Sequence, residues 1–229
     1  MTAPVITIDG PVGSGKGTIA QQLAEALGFH LLDSGALYRL SALAARRAGV
    51  ALDDGDALAA IATAMRIRFE PRPGQGLATY LDDADVSLEL RTEQTGELAS
   101  QVAALPALRH ALLAVQRSFR RPPGLVADGR DMGTVVFVDA ELKVFLTASA
   151  EERARRRFAQ LQNKGLDASL PALLQEIRAR DERDSSRTVS PLQAAADAVV
   201  VDSTSMSVEA VREKLLELAR QRLGSDFPR

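Results

Sequence analysis

The chain has no cysteine, no tryptophan and only two histidines. The missing thiols exclude disulfides, thiolate metal sites and cysteine nucleophiles together, and two histidines are too few for a histidine-rich metal cage. A strong charge imbalance is also missing: 28 basic against 30 acidic residues leave −2 at pH 7. No global field therefore draws nucleic acid or an anionic membrane. No apolar run approaches the roughly 18 residues of a membrane span. The first ten residues, "MTAPVITIDG", lack the basic flank and apolar centre of a signal peptide. These absences predict a cytoplasmic protein without membrane or nucleic-acid partners. Any phosphate recognition must then come from local clusters of arginine and lysine. At 229 residues, 46% of them hydrophobic, the chain is long enough for one sizeable core with a small inserted domain.

Short apolar runs alternate with helical patterns. "VITID" (5–9), "FHLLD" (29–33), "GLVAD" (124–128), "LKVFLT" (142–147) and "AVVVD" (198–202) read as buried strands. After the first, "GTIAQQLAEALG" puts Ile19, Leu23, Ala26 and Leu27 on one stripe and ends on Gly28, a C-cap. "GALYRLSALAARRAG" is a second helix. Ser149 and Glu152 form a capping box for a helix from about Ala150, and Ser207 caps a last helix to about Arg222. The alternation predicts an α/β fold, a parallel sheet of about five strands with helices on both faces. Between about Ala64 and Ser100 the rhythm changes. "MRIRFEP" and "GLATYLDD" alternate every second residue around a turn at Pro73 and Gly74, "DVSLEL" adds a short run, and helix resumes near Thr92. This predicts a small antiparallel sheet over 64–100, inserted into a core of 1–63 and 101–229.

Residues 10–18, "GPVGSGKGT", hold four glycines and one lysine in nine positions. Gly10, four residues, then Gly15 and Lys16 fit the P-loop pattern G-x-x-x-x-G-K, with a strand before and a helix after. The glycines let Pro11, Val12, Gly13 and Ser14 turn tightly, so that successive N–H groups converge on phosphate oxygens. The helix from near Gly15 aims its positive end at the same spot, and Lys16 reaches the β- and γ-phosphates of a nucleoside triphosphate. A generic motif has a hydroxyl residue after the lysine. Here Gly17 follows and the hydroxyl comes at Thr18, which leaves its direct role as an Mg²⁺ ligand open; an ion bridging the phosphates is still expected. Asp128, after three apolar strand residues, resembles a Walker B end whose carboxylate holds Mg²⁺ or its waters; a strand-terminal aspartate without metal is the alternative.

Late in the chain, Arg153, Arg156 and Arg157 fall at i, i+3 and i+4, and Arg180, Asp184 and Arg187 at i, i+4 and i+7. Such runs are either solvated faces paired with Glu151, Glu152, Asp181 and Glu182, or cations that converge on phosphate. "LQNKG" and Gly165 suggest a mobile lid over about 151–168. The residues alone describe a P-loop kinase of a small anionic acceptor, with UMP and shikimate among the candidates. A GTP-dependent switch would need N-K-x-D, but "NKGLD" (163–167) places Asp167 one residue late with no strand before it.

"GKGT", "LLDSGALYR" (31–39), "ASQVAALPALR" (99–109), "DGRDMGTVVF" (128–137), "EERARRR" (151–157) and "RARDERDSSR" (178–187) run end to end in the order found in bacterial cytidylate kinases, a family the chain resembles. The resemblance implies transfer of the γ-phosphoryl group of ATP to CMP or dCMP with Mg²⁺, on a P-loop kinase core with a nucleoside-monophosphate-binding insert and a short lid. It implies that Arg39 binds the acceptor phosphate with Ser34 and Tyr38 nearby, that Arg130 binds the same phosphate, and that Ser100, Arg109 and Asp131 surround the base. Arg187 falls to the transferring or acceptor phosphate, Arg180 and Asp184 to the ribose side, and Arg156 and Arg157 to ATP. By spacing alone, Arg39 is equally an exposed helix arginine and Ser100 a small packing residue. Asp131 has a chemical rationale: cytosine offers an N4 amino donor to a carboxylate, whereas uracil presents a carbonyl oxygen. Arginine suits the phosphates because its planar fork binds oxygens in pairs and stays charged. No general base is needed, since the second pKa of a phosphomonoester is about 6. His30 and His110 read as structural residues, and a monomer is expected.

Overall fold

The computed structural model describes residues 2–72, 76–163, 165 and 167–224. The turn expected at Pro73 and Gly74 lies outside the described residues, as do Lys164 and Leu166 of the expected lid. In chain order the elements are β1 (Val5–Asp9), α1 (Lys16–Leu27), β2 (His30–Asp33), α2 (Ser34–Ala48), α3 (Gly55–Ala64), β3 (Ile67–Arg72), β4 (Gly76–Leu81), β5 (Ala84–Asp85), α4 (Ser87–Leu90), α5 (Glu93–Val102), α6 (Pro106–Arg117), β6 (Leu125–Gly129), a π-helical turn (Met132–Val136), β7 (Leu142–Thr147), α7 (Ala150–Gln162), α8 (Leu170–Ser185), β8 (Val199–Asp202) and α9 (Val208–Leu223). They form two compact units, Met1–Asp33 with Arg117–Arg229, and Ser34–Gln116.

The first unit holds a five-stranded parallel sheet in the order β2-β6-β1-β7-β8. The chain thus runs from central β1 to the edge at β2, returns to β6 beside β1 and then crosses to β7 and β8 on the other side, so the C-terminal ends of β1 and β6 lie at the switch point where α/β folds bind ligands. Ile6 and Ile8 of β1 share a buried cluster with Ile19, Leu23 and Leu27 of α1 and with Val211 and Leu215 of α9. Ala26, expected on this stripe, is exposed: the buried face of α1 centres between Lys16, Leu23 and Leu27, which leaves Ala26 at its edge. Val200 is 58% exposed because β8 is an edge strand and shields only alternate residues, so "AVVVD" is half-buried rather than buried. The expected caps at Gly28 and Ser207 are present: Gly28 adopts the left-handed conformation and Ser207 accepts from the Ala210 N–H. Ser149 accepts from the Glu152 N–H, but the expected capping box is not closed, because the Ser149 N–H donates to the Thr204 hydroxyl and the Glu152 carboxylate is taken by Arg155 and Arg156.

The second unit contains the antiparallel sheet β3-β4-β5, with Ile67 opposite Leu81 and Tyr80 opposite Asp85. Leu81 and Val86 pack with Leu40 and Leu43 of α2 and Leu90 of α4. The "DVSLEL" run contributes only Asp85 to strand. Asp85 accepts from the Ser87 N–H and hydroxyl, the Ser87 hydroxyl accepts from the Thr79 N–H, and the chain turns into helix with Leu88 exposed. Thr92 caps α5 by accepting from the Thr95 N–H. Among the described residues no single helix is long and apolar enough to cross a membrane.

Candidate active site

Residues 10–15 leave β1 and feed α1. Gly10 turns the chain at φ 151°, where a Cβ would sit 2.0 Å from the Leu146 carbonyl oxygen of β7. Gly15 caps α1 in the left-handed region at φ 93° with no side-chain cap. The first N–H groups of α1 therefore have no capping side chain, which suits an anion. Ser14 is 1% exposed, and its hydroxyl has no hydrogen-bond partner. Lys16 is buried and its ammonium donates to the Pro11 carbonyl at 2.8 Å. Burial brings the Lys16 pKa down to about 8, with Asp128 opposing that shift and Arg130 adding to it. Asp128 is half-buried at the end of β6, in register with Ile8 of β1 and Asp33 of β2. Burial pushes its carboxyl up to about 7; Lys16 pulls it back and Asp33 raises it further.

Two residues beyond Asp128, the Arg130 guanidinium pairs through Nε with Asp184 of α8, and Arg187 pairs through Nη2 with the other oxygen of the same carboxylate. Asp184 is 1% exposed. Burial works to raise its pKa, but Arg130 and Arg187 together hold it below the usual carboxylate range. Burial opposes the charge on Arg130, and Asp184 more than restores it, so that its pKa stands above the ordinary value. α8 ends at Ser185, so Arg187 reaches Asp184 from beyond the helix rather than from a third position on one helical face. Arg180 lies on α8, half-buried. Asp131 is 5% exposed.

The arginines of α7 divide by partner. Arg153 is buried and holds three segments at once: it donates to the Val12 carbonyl at 3.0 Å, to the Ala148 carbonyl at 2.9 Å and to both oxygens of Asp181. Arg156 donates to the Ser14 carbonyl at 3.3 Å, to Ser203 and to Glu152. Two carbonyls of the glycine-rich loop, those of Val12 and Ser14, are thus held by α7. Arg157 is half-buried and reaches Gln160 at 3.3 Å. Thr18 is exposed on α1.

In the unit Ser34–Gln116, Ser34 begins α2 and is buried. Arg39 donates to the Leu90 carbonyl and lies against Gly96, where a Cβ would meet its Nη2 at 3.2 Å. The Arg109 guanidinium stands 5.6 Å from the Tyr38 ring centroid and donates to the Ala103 carbonyl at 2.9 Å. Both residues are buried. Ser100 is 5% exposed, and its hydroxyl has no hydrogen-bond partner. A buried hydroxyl without a partner is costly, and a ligand atom would remove that cost. His30 bonds the Pro122 carbonyl at 3.0 Å, a structural contact.

Two features escaped the sequence. Asp9, at the end of an apolar strand, is buried and accepts two backbone N–H groups; a carboxylate inside "VITID" was the available signal. Arg153 looks like its neighbours in "EERARRR", and no local signal separates it from them.

The donor set also bears on a metal. Among the described residues no group of three or more His, Cys, Asp or Glu side chains could hold an ion. Asp128 comes beside the loop: a Cβ on Gly17 would lie 3.4 Å from its Oδ2. That fits Mg²⁺, which keeps several waters and binds through one or two carboxylates plus substrate phosphates.

The cytidylate kinase family model matches residues 6–221. The cytidylate kinase of Aeromonas salmonicida is 57% identical over 222 residues, which is 97% of this chain and 96% of that protein. The cytidylate kinase of Pseudomonas syringae pv. tomato is 61% identical over 215 residues, 93% of this chain and 94% of that protein. That of Photorhabdus laumondii subsp. laumondii is 57% identical over 222 residues, 97% of each chain. With a family match over residues 6–221 and identity of this extent along nearly its whole length, the chain belongs to the cytidylate kinase family.

Proposed function

We propose that this protein transfers the γ-phosphoryl group of ATP to CMP or dCMP, giving ADP and CDP or dCDP. The observation that carries the reading is the cation set at the C-terminal ends of β1 and β6. Lys16 leads α1, and Arg130 and Arg187 are locked by one buried carboxylate. Phosphoryl transfer needs in-line positioning and convergent positive charge more than covalent help. An anionic oxygen of the acceptor phosphate attacks the γ-phosphorus, and the bond from that phosphorus to the β–γ bridging oxygen breaks. Lys16 and the arginines hold the charge that spreads over the equatorial oxygens.

We assign residues 10–18 with Arg156 and Arg157 to ATP. To the acceptor we assign Arg130, Asp131, Arg180, Asp184 and Arg187, together with Ser34, Tyr38, Arg39, Ser100 and Arg109. Segment 64–100 serves as the acceptor-binding insert and 151–168 as the lid. Asp128 and Thr18 would hold Mg²⁺, directly or through water, and the ion would supply neutralisation of the phosphate charge. The preference for cytosine follows from Asp131: uracil leaves a buried carboxylate facing a carbonyl, an unpaired arrangement that polar pockets reject strongly. The enzyme acts as a monomer in the cytoplasm.

The test is a coupled ADP-release assay with ATP and Mg²⁺ against CMP, dCMP, UMP, AMP, GMP and shikimate in parallel. Turnover confined mainly to CMP and dCMP supports the reading. Equal turnover of UMP removes the cytosine argument, and hydrolysis of ATP or GTP indifferent to every acceptor removes the kinase reading.

A further inference from the structure

Asp9 has no part in the reaction as described, yet its surroundings are specific. It ends β1, is 4% exposed and stands immediately before Gly10 of the phosphate-binding loop. One carboxylate oxygen accepts the Met132 N–H and the other the Gly133 N–H, each at 2.8 Å. Those amides open the turn Met132–Val136, directly after Arg130 and Asp131. The turn is wide, with the Phe137 N–H reaching back to the Met132 carbonyl at 2.7 Å, and Asp131 offers no side-chain cap. Without Asp9 its first donors would have no partner in a buried place. The turn also presses onto β1: a Cβ on Gly133 would come 2.9 Å from the Thr7 hydroxyl and 3.3 Å from Asp9 Oδ2.

We infer that Asp9 is a positioning residue for the acceptor: its ionised carboxylate clamps the backbone of 132–133 and thereby sets how Arg130 and Asp131 are presented. This rests on the assignment of those two residues to the acceptor. Charge matters because both oxygens accept. An asparagine would accept one N–H and turn its own amide hydrogens toward the other. Around Asp9 the charged groups are Asp131 before the turn, Asp128 on the neighbouring strand β6, Lys16 on α1 and Lys143 on β7, whose Cδ would lie 3.2 Å from a Cβ at Gly133. Burial pushes the Asp9 carboxyl up to about 6 against the pull of the two amides, so the clamp is ionised at neutral pH and weakens in mild acid.

The test is Asp9→Asn, measured for CMP and UMP turnover, for the dissociation constant of a fluorescent ATP analogue and for thermal melting. Wild-type turnover of CMP is the control for the assignment beneath; its absence removes both that assignment and the part given to Asp9. With it present, the variant is expected to lose about 100-fold in kcat/KM for CMP, the scale of a small misplacement of reacting groups. Its CMP over UMP preference should narrow about tenfold, with nucleotide-analogue affinity within twofold and no drop in melting temperature. Unchanged CMP kinetics overturn the inference, and so does a loss shared equally by both substrates together with lower melting. Should the variant not fold, wild-type NMR decides. The Met132 and Gly133 amide signals should titrate together between pH 5 and 7, and cytidine, which carries no titrating phosphate, should bind more weakly below the same midpoint. Cytidine affinity flat across that range refutes the clamp.

Discussion

Asp184→Asn tests how the cation set is held. The carboxylate is 1% exposed and takes one guanidinium on each oxygen: Arg130, itself 20% exposed, and Arg187, 8% exposed. Asparagine keeps the shape and one acceptor, but it removes the charge and points an NH₂ group at one of the arginines. Removing one partner of a buried ion pair costs about 3–5 kcal/mol, because the remaining charges are left uncompensated. In a protein of this size each kcal/mol moves the melting temperature by about 2–4 °C, so a fall of about 10 °C is expected. Sign and pH follow from the depressed pKa of Asp184. Its stabilisation is present above the unfolded carboxylate range and is lost as pH falls through the folded value, so the wild-type advantage shrinks in acid. On the proposed assignment the same arginines take the CMP phosphate, so CMP should raise the variant's melting temperature less than the wild type's, while KM for CMP rises. Scanning calorimetry at several pH values, with and without CMP, reads all three effects. A fall of less than about 2 °C at neutral pH would refute the claim that this carboxylate anchors Arg130 and Arg187.

Other perturbations have equally definite outcomes. Because the Asp9 carboxyl is raised from 3.8 to about 6 in the fold, its ionisation costs about 3 kcal/mol relative to the unfolded chain. Wild-type stability should therefore fall relative to Asp9→Asn as pH rises from about 4 to 6 and stay level above; denaturant melts across that range check it. Phosphates raise the Lys16 pKa from about 8, so binding ATP without metal at pH 8 should take up about half a proton. Calorimetry in buffers of different ionisation enthalpy measures that uptake. Gly10→Ala places a methyl 2.0 Å from the Leu146 carbonyl oxygen and should prevent soluble folding or lower the melting temperature by more than about 10 °C. Arg153→Met strips the Val12 and Ala148 carbonyls of their donor and leaves Asp181 without it. That variant should lose about 3 kcal/mol and bind ATP at least tenfold more weakly, whereas Arg155→Met, at an exposed helix pair, should change stability by less than about 1 kcal/mol.

Much of the architecture was legible because its causes are local. Five strands read as apolar runs, the loop at 10–18 as a glycine pattern between strand and helix, and the caps at Ser149 and Ser207 as side chains within three residues of their partners. The failures have local causes of a different kind. "DVSLEL" alternates like a strand, but Ser87 and Asp85 bond the nearby backbone and turn it into helix. Ala26 and Val200 are apolar, and whether they are covered depends on which neighbour lies beside them.

The sequence by itself determined the α/β alternation, the glycine-rich loop between β1 and α1, the small antiparallel sheet and the pool of arginines, since each follows from spacing over a few residues. Only the tertiary structure decided the strand order that puts β6 beside β1 and divided the labour among Arg153, Arg156 and Arg157. It also joined Arg130 to Asp184 and set Asp9 on the Met132–Gly133 amides. The physical reason is range. An arginine's i+4 neighbour is implied by the helix it sits on, whereas the Val12 carbonyl that Arg153 holds is 141 residues away and becomes its partner only when β7 lies against β1.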